Sequence, residues 1–374
     1  MTRDRKFSSK NVDYADDGDD WDGSEERAQP RQTSYLDSFN GANDDDPLLR
    51  PTRMFDMVGQ RDVYSRIEIA VKAAKKRGEP LGHILFDGPP GLGKTTFATC
   101  IPRELGVDMQ IANGATLRAP KDVVPYLTNA EEGSVLFIDE IHRMQKTVEE
   151  FLYPAIEDFR IDVTVGEGVN ARTLNIHLKP FTLIGATTRT GLISAPLRDR
   201  FQMREHLDFY SVEELAEIVA RNAVKLKMNL DEQAATEIAR RSRGTPRLAN
   251  NRLRWVRDFA DAKSCEKVGL EVALDALKMQ GIDELGLDPQ DRKFLETIWR
   301  VFNGGPVGVE AVAHTMNVAP DSIVDEVEPF LLRSELIVRT PRGRVLTSKG
   351  LRHIGVESED GKRNRAFRDD LFNF

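Results

Sequence analysis

The chain is short of cysteine, short of tryptophan and without a long apolar run. Its two cysteines, Cys100 and Cys265, form neither a CxxC pair nor a metal-ligand spacing. That excludes a disulfide scaffold and a thiolate metal site, and two free thiols suit a reducing compartment. No apolar stretch approaches the roughly 20 residues needed to cross a bilayer. The charged start, from Arg3 onward, lacks the apolar region of a secretory signal. No membrane span is expected, and a cytoplasmic location is. Nor is there self-similarity at a period of roughly 20–50 residues, so a solenoid is excluded. Charge of one sign is scarce outside the N-terminal end. The formal net charge is −8, but residues 1–46 hold 13 of the 61 acids and 6 of the 53 bases. The remainder is close to neutral, so basic residues there can cluster locally and a nucleic-acid partner is not excluded.

What is present falls into five stretches. Residues 1–46, rich in Asp, Gly and Ser with isolated apolar residues, cannot bury enough surface to offset their ordering entropy and read as a disordered acidic tail. From residue 47 to 208, apolar strand signals alternate with helical ones. "HILFDG", "GSVLFIDEIH" and "FTLIGATT" read as buried strands; "KTTFATCIPRELG" and "QKTVEEFLYPAIED" read as helices. That alternation predicts a parallel sheet with helical crossovers. "IDVTVGEG" and "RTLNIHL" alternate about a glycine turn and predict a hairpin. Pro102 sits inside the helix after the first strand, where it predicts a kink or an early end. Residues 209–282 are wholly helical, each segment opened by a capping residue or a Thr-Pro start, and predict a small all-α domain. Residues 283–356 supply three helices and a hairpin, the parts of a winged helix. Residues 357–374 are a charged C-terminal tail.

"GPPGLGKTT" fits G-x-x-x-x-G-K-[ST], lies between an apolar strand and a helix, and predicts a phosphate cradle. Glycines at 88, 91 and 93 let backbone N–H groups turn inward, and the helix that follows adds its positive end. Lys94 is placed to reach the β- and γ-phosphates, and the Thr95 hydroxyl to ligate Mg²⁺. "VLFIDEIHR" delivers two carboxylates at the end of a strand, where α/β sites form. Asp139 is expected in the Mg²⁺ shell and Glu140 as the general base toward water. At the end of the third strand, Thr187 or Thr188 could sense the γ-phosphate. "APLRDRF" carries Arg198 and Arg200, either of which could reach a neighbouring subunit's nucleotide, with Arg200 favoured. Arg247 opens a helix of the small domain, where it could report the state of the nucleotide. The hairpin "RTPRGR" concentrates Arg339, Arg342 and Arg344 about Pro341 and Gly343. Those cations predict sequence-independent contact with the phosphates of duplex DNA.

Taken together, the P-loop, "VLFIDEIHR", "LYPAIEDFR", "FTLIGATTRTGLISAPLRDRF", "RSRGTPRLAN" and "RTPRGR" resemble the RuvB family over about four-fifths of the chain. The resemblance implies an α/β AAA+ ATPase domain, a small helical lid and a C-terminal winged helix. It implies an ATP- and Mg²⁺-dependent hexameric motor that drives branch migration of Holliday junctions in recombination and repair. RuvA would be a partner, docked on the hairpin at residues 161–178, with the RuvC resolvase as a further candidate. It assigns nucleotide contacts to Leu49, Arg50, Gly91, Lys94, Thr95, Thr96, Tyr210 and Arg247, and to Glu157, Asp158 and Phe159. It makes Arg200 the arginine finger. The acidic tail lies outside the family core, and Asn251 and Trp255 stand where relatives usually carry basic residues.

Two other readings share parts of this pattern. A clamp-loader ATPase has the same nucleotide core, but would carry a collar-type helical domain in place of "RTPRGR" and its winged helix. A nucleotide-switched DNA-binding module without turnover would not need the Asp139–Glu140 pair or Arg200.

Overall fold

The computed structural model describes residues 48–165 and 172–356. Both tails and the hairpin tip at 166–171 lie outside the described residues.

Five strands make an all-parallel sheet: β1 (Ile84–Asp87), β2 (Met109–Asn113), β3 (Val135–Asp139), β6 (Thr182–Thr187) and β7 (Met203–His206), in the order β2-β3-β6-β1-β7. The three strands legible in the sequence, β1, β3 and β6, are the central three. They read as unbroken apolar runs because both of their faces are covered. The two edge strands escaped that reading. "MQIAN" is only half-buried and "MREH" alternates charge with a single buried position, so neither forms an apolar block.

One face of the sheet is covered by α1 (Arg61–Arg77) and α2 (Lys94–Leu105), the other by α3 (Pro120–Thr128), α4 (Lys146–Glu157) and the short α5 (Ala195–Asp199). Pro102 does not stop α2. The helix runs three residues further and closes at Gly106, whose N–H reaches the Pro102 carbonyl at 2.8 Å with φ = 77°. The hairpin is present as β4 (Arg160–Val165) and β5 (Arg172–His177), paired antiparallel from Arg160–His177 to Val165–Arg172.

The lid is α6 (Val212–Lys225), α7 (Glu232–Arg240), α8 (Pro246–Ala262) and α9 (Leu270–Met279). Ser211 caps α6 in a reciprocal box with Glu214, and Pro246 occupies the first turn of α8. The lid does not have a core of its own. Leu215, Val219, Leu253, Val256 and Leu277 join the cluster that holds Ile67, Phe97, Phe137 and Ile184 beneath the sheet.

The winged helix does have its own core, built from Phe294, Ile298, Val312, Leu331 and Leu346. Its helices are α10 (Pro289–Phe302), α11 (Val309–Met316) and a third segment over residues 320–333. That segment comprises α12 (Pro320–Ser322), a π turn (Ile323–Val327) and α13 (Glu328–Arg333). The wing is β8 (Ile337–Thr340) against β9 (Gly343–Leu346), followed by α14 (Ser348–His353).

Candidate active site

The parallel sheet sends the C-terminal ends of β1, β3 and β6 to one edge, and there the motifs meet. The loop after β1 is held open by glycines at positive φ: Gly88 (134°), Gly91 (77°) and Gly93 (102°). A Cβ on Gly88 would lie 2.4 Å from the Leu207 carbonyl oxygen. One on Gly91 would lie 2.8 Å from Thr245 and 2.9 Å from Arg247 of the lid. Gly91 is thus where the lid closes on the loop, and the Arg247 N–H reaches its carbonyl at 3.4 Å. The Tyr210 hydroxyl donates to the Leu92 carbonyl at 3.2 Å, tying the entrance of the lid to the same loop.

Lys94 begins α2 and is buried. Its ammonium donates to the carbonyls of Gly88 (2.7 Å) and Pro89 (2.8 Å). Burial brings it down to about pKa 8 despite the nearby carboxylates of Glu140 and Asp139. A buried cation held only by loop carbonyls is suited to a polyanionic ligand. Asp139 ends β3, and burial, then the neighbouring Glu140, raise its carboxyl above the usual range. Its Oδ1 accepts the Glu140 N–H at 2.9 Å. An anion that burial disfavours, beside the Thr95 hydroxyl, is a fitting partner for a divalent cation. Among the described residues no group of three or more His, Cys, Asp or Glu could cage a metal alone. Such an ion would therefore share its shell with phosphates, as Mg²⁺ commonly does.

These residues line a cleft of about 720 Å³ between the sheet edge and the lid. Leu49, Arg50, Gly91, Gly93, Lys94, Thr95, Thr96, Asp139, Glu140, Tyr210 and Arg247 all face it. The lid adds residues the sequence did not single out: Ile218, Arg221, Asn222 and Lys225 from α6, and Asn250 from α8. Their only sequence signal is their position along amphipathic helices. That signal does not separate a cleft wall from a solvated face.

Three groups stand elsewhere than expected. Thr187 is fully buried and turned away from the cleft, its Oγ1 2.9 Å from His142 Nδ1. Thr188 instead faces the acid, donating to Glu140 Oε2 at 3.3 Å. Glu157, Asp158 and Phe159 do not line the cleft of their own chain. They follow α4 to the far side of α5, where Glu157 pairs with Arg200 at 3.0 Å, Asp158 with Arg160, and Phe159 packs edge-on against Phe181. Arg200 itself stacks over the Tyr153 ring at 4.1 Å and donates to the Pro196 carbonyl at 2.7 Å, outside its own cleft. On the wing the three arginines are not equivalent. Arg344 is largely buried and, with Arg339, is paired to Glu328, whose side chain is 1% exposed. Arg342 is exposed at the turn, and among the described residues no carboxylate pairs with it.

A phosphate cradle, a strand-end acid pair and a closing helical lid, with a winged helix attached, define a P-loop ATPase built to act on DNA. Family models divide the chain at the same places. The Holliday junction DNA helicase RuvB P-loop domain matches residues 49–207, the RuvB AAA lid domain 210–283 and the RuvB C-terminal winged helix domain 284–355. The Holliday junction branch migration complex subunit RuvB of Rhodopirellula baltica is 63% identical over 317 residues, covering 85% of this chain and 87% of that protein. The Thermotoga maritima RuvB Holliday junction branch migration motor superposes with a TM-score of 0.76 at 43% identity, over 83% of this chain and 99% of that one. A mutant of the Thermotoga maritima protein reaches 0.77 at 44% identity, over 82% and 99%. The chain belongs to the RuvB family, and it is an ATPase of that family. No helix among the described residues is long and apolar enough to cross a membrane.

Proposed function

We propose that this chain is the ATP-driven motor of Holliday-junction branch migration, working as a hexamer around duplex DNA together with a RuvA-type partner. The observation that carries this reading is a single chain in which one cleft gathers Lys94, Asp139, Glu140 and Arg247 while a winged helix presents Arg342 outward. Within the cleft, Lys94 binds the β- and γ-phosphates. Thr95 and Asp139 would hold Mg²⁺, which when bound neutralises phosphate charge. Glu140 takes the proton of the attacking water. Thr188, which touches Glu140, orients it, and this role replaces the one expected of Thr187. Arg247 reports the nucleotide to the lid.

Arg200 and Glu157–Phe159 lie together on a face away from their own cleft. Their place in hydrolysis is therefore the neighbouring subunit's nucleotide, with Arg200 as the finger. The hairpin β4–β5, which exposes Leu174, is the docking element for the RuvA-type partner. A RuvC-type resolvase is a further candidate for the same assembly. The two thiols, Cys100 buried and Cys265 partly so, are both free, which suits a cytoplasmic setting. Residues 1–46 are an accessory tail outside the motor. A clamp-loader role is disfavoured by the winged-helix core.

The test is dissociation of a synthetic four-way junction by the purified chain with RuvA, ATP and Mg²⁺. ATP hydrolysis without junction dissociation would reject the motor reading and leave only the ATPase.

A further inference from the structure

The third helical segment of the winged helix, residues 320–333, carries four acids: Asp321, Asp325, Glu326 and Glu328. Phosphates repel such a segment, so it is unsuited to lie against a duplex. Three of its carboxylates have other partners. Arg189 of the ATPase domain donates from Nε to Asp325 (3.0 Å) and from a terminal nitrogen to Asp325 (2.7 Å) and Asp321 (2.9 Å). Glu328, buried at the other end of the π turn, holds Arg339 and Arg344 of the wing. The segment therefore joins the wing to the ATPase domain through charge pairs. A separate anchor is Arg333, which stacks over Phe209 at 4.0 Å and donates to the Arg243 carbonyl at 3.1 Å.

Arg189 directly follows the strand-end threonines. Its backbone N–H donates to Thr187 Oγ1 at 2.9 Å, and that oxygen lies 2.9 Å from His142 Nδ1. The same ring nitrogen lies 3.2 Å from Glu140 Oε2, the oxygen that also accepts from Thr188. Burial, then the adjacent Arg189 cation, keep the His142 pKa below its usual value, so the ring is neutral at pH 7. A carboxylate oxygen engaged by two partners is a poorer proton acceptor than a free one.

We propose that Arg189 is a positioning residue through which the winged helix restrains Glu140 and DNA releases it. The inference rests on the DNA-motor reading above. With the wing unoccupied, Arg339 stays on Glu328, the 320–333 segment stays docked on Arg189, and Glu140 stays engaged by His142 and Thr188. A DNA phosphate that draws Arg339, whose side chain is 51% exposed, off Glu328 loosens the segment's hold on Arg189. The strand-end threonines then relax, and Glu140 is freed to act on water. Couplings between distant sites commonly amount to about 5–150-fold, and spatial continuity alone does not establish one.

The test measures ATP turnover with and without duplex DNA, and DNA affinity with and without a non-hydrolysable ATP analogue. Wild type, Arg189→Ala, Asp325→Asn and the charge exchange Arg189→Asp with Asp325→Arg are compared. The expected result is that Arg189→Ala and Asp325→Asn raise DNA-free turnover several-fold and bring the ratio of stimulated to basal turnover close to one. In both, the analogue no longer shifts the Kd for DNA, while the charge exchange recovers part of the wild-type ratio. A wild-type ratio in Asp325→Asn, or lowered basal turnover with the ratio intact, overturns the proposal. Asp325→Asn, near-isosteric and partly exposed, decides the matter if Arg189→Ala does not fold. Should wild type itself show no DNA stimulation and no junction dissociation, the motor reading fails instead. A wild type that works beside variants with an unchanged ratio defeats only the role of Arg189.

Discussion

Lys94 and Glu140 occupy one cleft but face different parts of the reaction, and their substitutions should separate. Lys94 is a buried cation whose only partners are two loop carbonyls. Its removal leaves the cradle without the charge that compensates the phosphates. Lys94→Ala should therefore lose nucleotide binding in a fluorescent-ATP titration and lose turnover with it. Glu140→Gln keeps shape and hydrogen-bonding capacity but cannot take a proton. It should bind ATP as wild type does while kcat falls by roughly 10²–10⁴-fold, the usual worth of a general base. Equal loss of binding in both variants would show that Glu140 holds the ligand rather than the water. The sequence exposed these two residues because a phosphate cradle needs glycines at fixed offsets and a strand end needs its acid pair. It could not tell Thr187 from Thr188. Two adjacent residues at a strand terminus point to opposite sides, and only the packing of His142 against one of them decides which faces Glu140.

The wing shows how far an element can be read from composition. "RTPRGR" displays three cations in six residues, and the hairpin is where the pattern put it. The sequence could not show that Glu328, distant in the chain, would claim two of the three. Arg342→Ala should weaken DNA binding similarly at all sequences and lower the salt slope of log K by up to about one unit, without changing thermal stability. Arg344→Ala should act mainly on the fold. It removes the more buried partner of a fully buried carboxylate. The winged helix should lose up to roughly 3 kcal/mol, less than the full cost of an orphaned ion because Arg339 remains. Salt titrations by fluorescence anisotropy and urea unfolding of both variants distinguish the two. The central strands were legible for the converse reason. Burial on both faces leaves β1, β3 and β6 no freedom of composition, whereas edge strands β2 and β7 carry polar residues that sheet pairing, not hydropathy, holds in place.

At the scale of the whole molecule, Arg200 stands against Tyr153 and Glu157, away from the cleft its own chain builds. If it serves the neighbouring subunit, Arg200→Ala and Lys94→Ala are each inactive alone. Mixed in one assembly, they should recover a fraction of turnover, because some interfaces pair an intact Lys94 with an intact Arg200. No recovery in a mixture shown to co-assemble would move the finger to Arg198 or elsewhere. The arrangement of cores adds a further expectation. The ATPase sheet and the lid share one apolar cluster, while the winged helix closes its own. Calorimetry should give two transitions rather than three, with ATP analogues raising only the one that contains the cleft. Replacing Phe294 by Ala should lower only the other, by about 3–5 kcal/mol.

That distribution of cores also determines where the molecule is compliant. A lid welded to the sheet by interdigitated side chains can move only by sliding, in steps of about 1–2 Å that preserve packing. The join to the winged helix includes guanidinium–carboxylate and cation–ring contacts at Arg189, Arg243 and Arg333, which can exchange partners with water or phosphate without opening a cavity. A small stroke generated at the nucleotide is thus delivered stiffly as far as the end of the lid. Beyond it, the foot that stands on DNA is free to pivot.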